Sequence, residues 1–161
     1  MQTRRKFYWA FFLAGIADIL ILDLVTKLLV VYGIIGEFVF IKDFFYITSL
    51  QKNEGIAFGI DLPMWLQIVG SLAILLILLK MGFEYFFAKE KFSLFSHWLF
   101  GAVIGGGLGN LIDRLIHGYV IDFIVLKPFP VFNVADIGIT VGLVALFATI
   151  WLSSRGSATK I

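Results

Sequence analysis

The sequence contains no cysteine among its 161 residues. This absence excludes disulfide bonds, cysteine-ligated metal sites, a cysteine nucleophile and lipidation on cysteine. Histidine is scarce as well: His97 and His117 are the only two, too few for a histidine-rich metal site. Neither a G-x-S-x-G nucleophile elbow nor an H-E-x-x-H zinc helix is present. We therefore expect no metal and no other cofactor.

Charged residues are also few. Only 15% of the residues are charged and 60% are hydrophobic, with a mean hydropathy of +0.98. A soluble domain has about 25% charged residues, and a chain of this length has too small a core to bury so much apolar surface. We therefore predict an integral membrane protein with one domain over residues 1–161, surrounded by membrane lipids. The net charge of +2 points to no particular partner, and we expect no nucleic acid.

Four apolar segments predict a membrane α-helical fold with four transmembrane helices. The predicted spans are residues 7–33, 62–80, 94–113 and 134–152, each to within a few residues. The first span is interrupted by Asp18, Asp23 and Lys27 and has a basic start. Its apolar stretch is nevertheless too long for a signal peptide, and no small-residue cleavage site follows it, so we interpret it as a span.

The distribution of basic residues predicts the orientation. With the N-terminus inside, eight lie on the inner side: Arg4, Arg5, Lys6, Lys80, Lys89, Lys91, Arg155 and Lys160. Four lie on the outer side: Lys42, Lys52, Arg114 and Lys127. The positive-inside rule then predicts that both termini are cytoplasmic and that the loops near 34–61 and 115–132 are external. The first loop is rich in β-branched and aromatic residues, which predicts a small extracytoplasmic β-sheet between helices 1 and 2.

Polar residues inside the predicted spans need an explanation, because each costs roughly 2.5–3.5 kcal/mol on insertion scales. Asp23 and Lys27 are four residues apart, so they can form an ion pair on one helix face, which is compatible with bracing a nearby site. Asp18 has no local cation, and a protonated, hydrogen-bonded side chain is the simplest account of it. Gly101, Gly105 and Gly109 form a small-xxx-small pattern that favours close helix packing over a phosphate cradle.

A second polar group lies at the outer ends of the third and fourth spans. In "GNLIDR", Asp113 and Arg114 can simply mark the water interface, whereas Asn110 lies one turn deeper. In "FNVAD", Asn133 and Asp136 have the spacing of a helix-capping pair, which leaves open a catalytic role for Asp136.

Asp122 lies in the apolar run "VIDF" and is either exposed on a loop or paired. If it meets Asp136, the two carboxyl groups can share a proton. The ionised group then takes a proton from water while the protonated group donates to a carbonyl oxygen, which is metal-free hydrolysis of a peptide bond. Their meeting is an inference. It requires the thirteen residues between them, with Pro128 and Pro130, to fold back as a short flap.

Five blocks occur in one order along the chain: "DLVTK" from Asp23, "NEGIAFG" from Asn53, "GNLIDR", "VIDF" and "FNVAD". Together they resemble the bacterial lipoprotein signal peptidase (signal peptidase II) family, aspartic peptidases of the inner membrane. Two features depart from the family pattern. The segment between the two aspartates is shorter than expected, and Ile137 stands where a serine often follows the second aspartate.

The resemblance implies that Asp122 and Asp136 are the catalytic dyad. It also implies that eight other residues support the dyad or contact substrate: Asp23, Lys27, Asn53, Gly55, Asn110, Arg114, Asn133 and Ala135. The family removes the signal peptide from prolipoproteins by cutting before the diacylglyceryl-modified cysteine. The implied substrate is therefore a lipid-modified prolipoprotein, cleaved near the outer face of the membrane under a β-sheet cradle. We expect the protein to act as a monomer.

Two other functions remain open. A small proton-coupled transporter could use Asp18, Asp23 and Asp136 as a proton relay, although the sequence shows neither inverted repeats nor broken helices. A non-catalytic membrane assembly factor would use the glycines for packing and the aspartates for capping.

Overall fold

The computed structural model describes residues 2–55, 62–87 and 92–158, with side chains from residue 4 to residue 152 in those ranges. The elements in chain order are α1 (Gln2–Val31), β1 (Phe38–Ile41), β2 (Phe45–Asn53), α2 (Met64–Gly82), a π-helical turn (Phe83–Phe87), α3 (Leu94–His117), β3 (Val120–Leu126) and α4 (Val134–Ala158). Residues 56–59 of "NEGIAFG", together with Lys89, Lys91 and Lys160, lie outside the described residues, as does the side chain of Arg155.

Three helical segments in the described part of the chain are long and apolar enough to cross a membrane. They are Met64–Phe87, Leu94–His117 and Val134–Leu152, with mean hydropathies of 2.1, 1.3 and 2.0. Helix α1 has 30 residues, long enough to span, but it is not in this set and carries Asp18, Asp23 and Lys27. The structure therefore bears out a mostly helical membrane fold, and the count of four spans stays a prediction.

Helix α3 lies at the centre of the fold, and α1 packs along its glycine stripe. A Cβ on Gly101 would collide with the carbonyl oxygen of Phe12, and one on Gly105 would lie 2.6 Å from that of Ile16. At Gly109 a Cβ would lie 2.6 Å from a carboxylate oxygen of Asp23. The predicted close packing at these three glycines is confirmed.

The small sheet is antiparallel, with strand order β1-β2-β3. Of the three strands, β1 and β2 lie between the first two helices and β3 does not, so the prediction of the sheet's position was incomplete. The third strand, Val120–Leu126, falls in the segment we predicted to be an external loop. Its first four residues are all buried, so it lacks the alternation that marks a half-exposed strand. Helix α3 also continues past its predicted end near 113 and stops at Gly118, which adopts a φ of 78°.

The register between β2 and β3 shifts beside Asp122. Ile47 pairs with Ile124, whereas Gln51 pairs with Asp122, so four steps along β2 match two along β3. The resulting bulge lies opposite Phe123. Bulges of this kind re-aim neighbouring side chains, and here the bulge precedes the stretch of β2 that ends at Asn53.

Candidate active site

Asp122 lies in β3, and its side chain is only 2% exposed. The alternative that it is exposed on a loop is therefore wrong. Its Oδ2 accepts a hydrogen bond from Asn53 Nδ2 at 2.9 Å. Its Oδ1 accepts one from Asn133 Nδ2 at 2.7 Å. The carboxyl group is thus held on both oxygens by neutral amide donors.

Asp136 lies in the first turn of α4, where it forms a reciprocal cap with Asn133. The Asp136 backbone N–H donates to Asn133 Oδ1 at 2.9 Å, and the Asn133 N–H donates to Asp136 Oδ2 at 3.3 Å. The predicted capping pair is confirmed. Asn110 Nδ2 adds a hydrogen bond to Asp136 Oδ1 at 2.8 Å, so this carboxylate belongs to a wider network as well.

Asn133 and Asn110 connect the two aspartates. Besides its bond to Asp122, Asn133 Nδ2 donates to Asn110 Oδ1 at 3.1 Å, and Asn110 in turn donates to Asp136. Among the described residues, each of the four carboxylate oxygens has one protein donor. Because a carboxylate oxygen can accept two hydrogen bonds, each retains a lone pair for water or substrate.

Burial raises the pKa of Asp122 from 3.8 to about 6. Loss of solvation is the largest cause, since the charged form is disfavoured away from water. The hydrogen bond from Asn53 lowers the pKa, the negative charge of Asp136 raises it, and the hydrogen bond from Asn133 lowers it. Asp122 therefore holds its proton at a higher pH than an ordinary aspartate does.

A buried ion cluster lies behind the two aspartates. Lys27 Nζ lies 2.6 Å from Asp23 Oδ2 and 2.8 Å from Asp113 Oδ2, and it donates to Asn110 Oδ1 at 3.3 Å. The side chains of Lys27, Asp23 and Asp113 are at most 3% exposed. The predicted Asp23–Lys27 pair is confirmed as one half of this cluster.

The two acids of the cluster also hold the backbone just before Asp122 and just before Asp136. Asp23 Oδ1 accepts the N–H of Ala135 at 2.8 Å, one residue before Asp136. Asp113 Oδ2 accepts the N–H of Ile121 at 3.1 Å, one residue before Asp122. A single lysine thus ties together the strand and the helix that carry the two carboxyl groups.

Asp113 is a site residue that the sequence reasoning missed, because it was interpreted as a marker of the water interface. Its side chain is 2% exposed and paired. One signal was available: Asn110 and Asp113 are three residues apart, which places both on one face of a helix. That face meets Lys27.

Arg114, Gly55 and Gln67 form the other edge of the site. Arg114 Nε donates to Gln67 Oε1 at 3.1 Å, and its Nη1 donates to the Asn110 carbonyl at 3.2 Å. The Gly55 N–H donates to Asn53 Oδ1 at 3.2 Å, which fixes the amide that reaches Asp122. Gln67 was not predicted, although it is the most polar side chain near the start of α2.

Asp18 lies outside this network. Its Oδ2 accepts a hydrogen bond from Trp98 Nε1 at 2.8 Å, which explains how the side chain is tolerated on α1. Within the described residues no hydrogen bond connects Asp18 to Asp23, and both oxygens of Asp23 are already used by Lys27 and Ala135. Among the described residues, no direct protein hydrogen bond therefore supports a relay from Asp18 through Asp23.

Comparison with known proteins agrees with this arrangement. The family model described as "Signal peptidase (SPase) II" matches residues 15–152. The lipoprotein signal peptidase of Halothermothrix orenii is 38% identical over 141 residues, which cover 85% of this chain and 92% of that protein. The lipoprotein signal peptidase of Brevibacillus brevis is 36% identical over 156 residues, covering 91% and 97%.

Two solved structures are similar over most of their length. Both are described as a bacterial membrane enzyme structure by the in meso method, one at 2.3 Å and one at 1.9 Å resolution. The first has a TM-score of 0.76 and 30% identity and covers 93% of this chain and 92% of its own. The second has a TM-score of 0.70 and 31% identity and covers 86% and 91%.

Fold and matches together define a membrane peptidase, a hydrolase. The chain belongs to the signal peptidase II family, as the resemblance of its five sequence blocks predicted.

Proposed function

We propose that the protein is an aspartic endopeptidase that removes the signal peptide from diacylglyceryl-modified prolipoproteins, cutting before the lipidated cysteine. Family membership and the names of the relatives support the peptidase class and the lipoprotein substrate. One observation carries the aspartic mechanism: Asp122 and Asp136 are joined through Asn133 and Asn110, and each keeps free lone pairs.

The surroundings of the two carboxyl groups suggest different roles. Asp136 lies in the first turn of α4, where the helix dipole favours negative charge. It is the general base and takes a proton from the attacking water. Asp122, whose pKa is raised to about 6, is the protonated partner and donates to the carbonyl oxygen of the scissile bond. The product of this first step is a tetrahedral gem-diol.

The second step returns the protons. Asp136 gives its proton to the leaving nitrogen while Asp122 recovers one from a hydroxyl of the gem-diol, and the C–N bond breaks. The new carboxyl and amino termini leave with the two carboxyl groups restored to their starting states. The network fixes the dyad in advance, which lowers the cost of aligning the reacting groups.

We propose further that the protein is a monomer with four spans in the bacterial cytoplasmic membrane, with both termini cytoplasmic and the dyad near the outer face. The burial of Asp23 and Lys27 supports α1 as the additional span, because their charges face α3 rather than lipid. The sheet would rest on the membrane surface, since Phe38, Phe40 and Ile41 of β1 are all more than half exposed.

This location suits a lipid-anchored substrate, whose scissile bond lies at the membrane surface. Arg114 has no carboxylate within ion-pair distance in the described part of the chain, so its remaining N–H groups are available. They could hold peptide carbonyls or the oxygens of the lipid ester and head group. Asn53 and Lys27 support the dyad rather than the substrate, since their side chains are committed to Asp122 and to the ion cluster.

The test is cleavage of a purified lipidated precursor by Asp122→Asn and Asp136→Asn. Each substitution preserves size and removes an acid, so each should abolish cleavage while the protein still inserts and unfolds cooperatively. Asp18→Asn is the matched control and should cleave normally, because the side chain of Asp18 is hydrogen-bonded to Trp98 and to neither aspartate of the site among the described residues. An unlipidated precursor should be a poor substrate. Normal turnover by either dyad variant would exclude the mechanism.

A further inference from the structure

Gln67 in the first turns of α2 is almost fully buried, with 3% of its side chain exposed. The same end of α2 otherwise presents apolar residues to the outside: Trp65 is 65% exposed and Val69 is 55% exposed. A buried carboxamide in such surroundings is costly unless its donors and acceptor are satisfied. Both the amide nitrogen and the amide oxygen of Gln67 have partners within the protein, and the positions of these partners indicate the role of the side chain.

The amide nitrogen of Gln67 binds the two ends of one segment. Nε2 donates to the carbonyl oxygen of Glu54 at 2.8 Å and to that of Leu62 at 2.7 Å. These two residues bracket the segment 55–61, which starts at Gly55. Glu54 directly follows Asn53, which donates to Asp122. The amide nitrogen therefore fixes the positions of Glu54 and Leu62, and Glu54 is next to the residue that reaches the first aspartate.

The amide oxygen of Gln67 binds the other side of the site. Oε1 accepts a hydrogen bond from Arg114 Nε at 3.1 Å, across 47 residues of sequence. Arg114 also donates to the carbonyl of Asn110, whose side chain donates to Asp136. One carboxamide thus connects the backbone next to Asn53, whose side chain binds Asp122, with α3, whose Asn110 binds Asp136.

We propose that Gln67 is a positioning residue that sets the spacing of Glu54 and Leu62 from Arg114, and thereby the affinity for substrate. This proposal rests on the proposed peptidase function. Only a carboxamide meets the requirement, because two carbonyls need donors while Arg114 Nε needs an acceptor. Gln67 touches neither aspartate, so its loss should weaken binding of the precursor more than it slows the chemical step.

Two substitutions separate the two halves of this contact. Gln67→Leu has a similar volume and removes all three hydrogen bonds. Gln67→Glu keeps an acceptor for Arg114 but offers no donor to the carbonyls of Glu54 and Leu62. Val69→Ala is the matched control, because Val69 lies on the same end of α2 with its side chain exposed. Thermal unfolding in detergent shows that each variant is folded.

The absence of cysteine allows a direct structural readout. Spin labels on Glu54→Cys and Leu115→Cys, both exposed positions, report the distance from residue 54 to the outer end of α3. We expect a narrow distance distribution in the wild-type background and in Val69→Ala. The distribution should broaden with Gln67→Leu and with Gln67→Glu.

Kinetics with the lipidated precursor supply the second readout. For Gln67→Leu we expect KM to rise about tenfold with kcat within about twofold of wild type, the effect of losing hydrogen bonds to a charged group. An unchanged distance distribution, or a fall in kcat at constant KM, would overturn the proposal. If the wild-type protein does not cleave the precursor, the proposed function fails, and the distance measurement alone still decides whether Gln67 holds Glu54 in place relative to α3.

Discussion

Replacing Lys27 with methionine should destabilise the protein more than removing the charge of either acid that it binds. Lys27 Nζ is the only cation in the buried cluster, and it lies within 2.8 Å of both Asp23 and Asp113. Methionine preserves most of the volume, so the change leaves little cavity. Removing one partner of a buried ion pair costs about 3–5 kcal/mol, because the remaining charge is uncompensated. Here two carboxylates are left, so the upper part of that range applies.

Asp113→Asn should destabilise the protein much less than Lys27→Met. The asparagine retains an oxygen that can accept the N–H of Ile121, and Lys27 keeps its bond to Asp23. The cluster holds two carboxylates and one ammonium group, so this variant removes an unbalanced negative charge. We expect a loss of about 1–2 kcal/mol, the value for one weakened hydrogen bond to a charged group.

The assay is reversible unfolding in mixed micelles with increasing denaturing detergent. His117 Nδ1 lies 3.7 Å from Asp113 Oδ1, so all variants are measured at one fixed pH. The double variant Lys27→Met with Asp113→Asn should be less destabilised than the sum of the two, because one orphaned carboxylate is gone. If Asp113→Asn destabilises the protein as much as Lys27→Met, the balance of two carboxylates against one ammonium group does not determine the stability of the cluster.

Three further outcomes follow from named contacts. Asn53→Ala removes a donor that lowers the pKa of Asp122, so the alkaline limb of the pH–rate profile should move to higher pH. The folded protein keeps the Asp122 proton between pH 3.8 and about 6 while the unfolded chain releases it, so stability should fall as pH rises through that window. Asp122→Asn should flatten that decline in unfolding titrations. Gly105→Ala should cost about 1–3 kcal/mol by overpacking against Ile16, whereas Gly70→Ala, with nothing within 4 Å, should cost nothing measurable.

Features set by local chemistry could be predicted from the sequence. The Asp23–Lys27 pair and the Asn133–Asp136 cap depend on spacings of four and three residues along one helix, so the sequence contains them directly. The glycine stripe is similar, because its period matches one helix face. The ion pair and the cap are contacts between near neighbours in the chain. The glycines show which face of α3 can pack closely, but not which helix packs there.

The missed features depend on partners that are distant in sequence. Asp113 accepts the N–H of Ile121 across the turn that ends α3, and its cation comes from α1. Gln67 meets Arg114 only because α2 packs beside α3. Strand β3 was missed for a different reason. Its first four residues are buried on both faces, so it lacks the alternation of a half-exposed strand, and Asp122 interrupts its apolar run.

The thirteen residues between the two aspartates are held in large part by backbone pairing. Strand β3 continues to Leu126, and Phe132 then returns to pair with Ile124, with N–H···O distances of 3.0 and 2.9 Å in the two directions. Asn133 follows immediately and caps α4. The separation of the two carboxyl groups is therefore set by the pair Phe132–Ile124, and the exposed turn around Phe129 is only its connection.

This arrangement makes opposite predictions for two insertions of Gly-Ser. Between Phe129 and Pro130 the insertion lengthens an exposed turn, which costs well under about 1 kcal/mol in loop closure, so cleavage of the precursor should stay near wild type. Between Phe132 and Asn133 the same residues separate the paired backbone from the α4 cap and should abolish cleavage. A flap that closes over the substrate predicts the reverse sensitivity. Loss of cleavage on insertion after Phe129, in a protein that remains folded, would therefore restore the flap and refute the fixed pair.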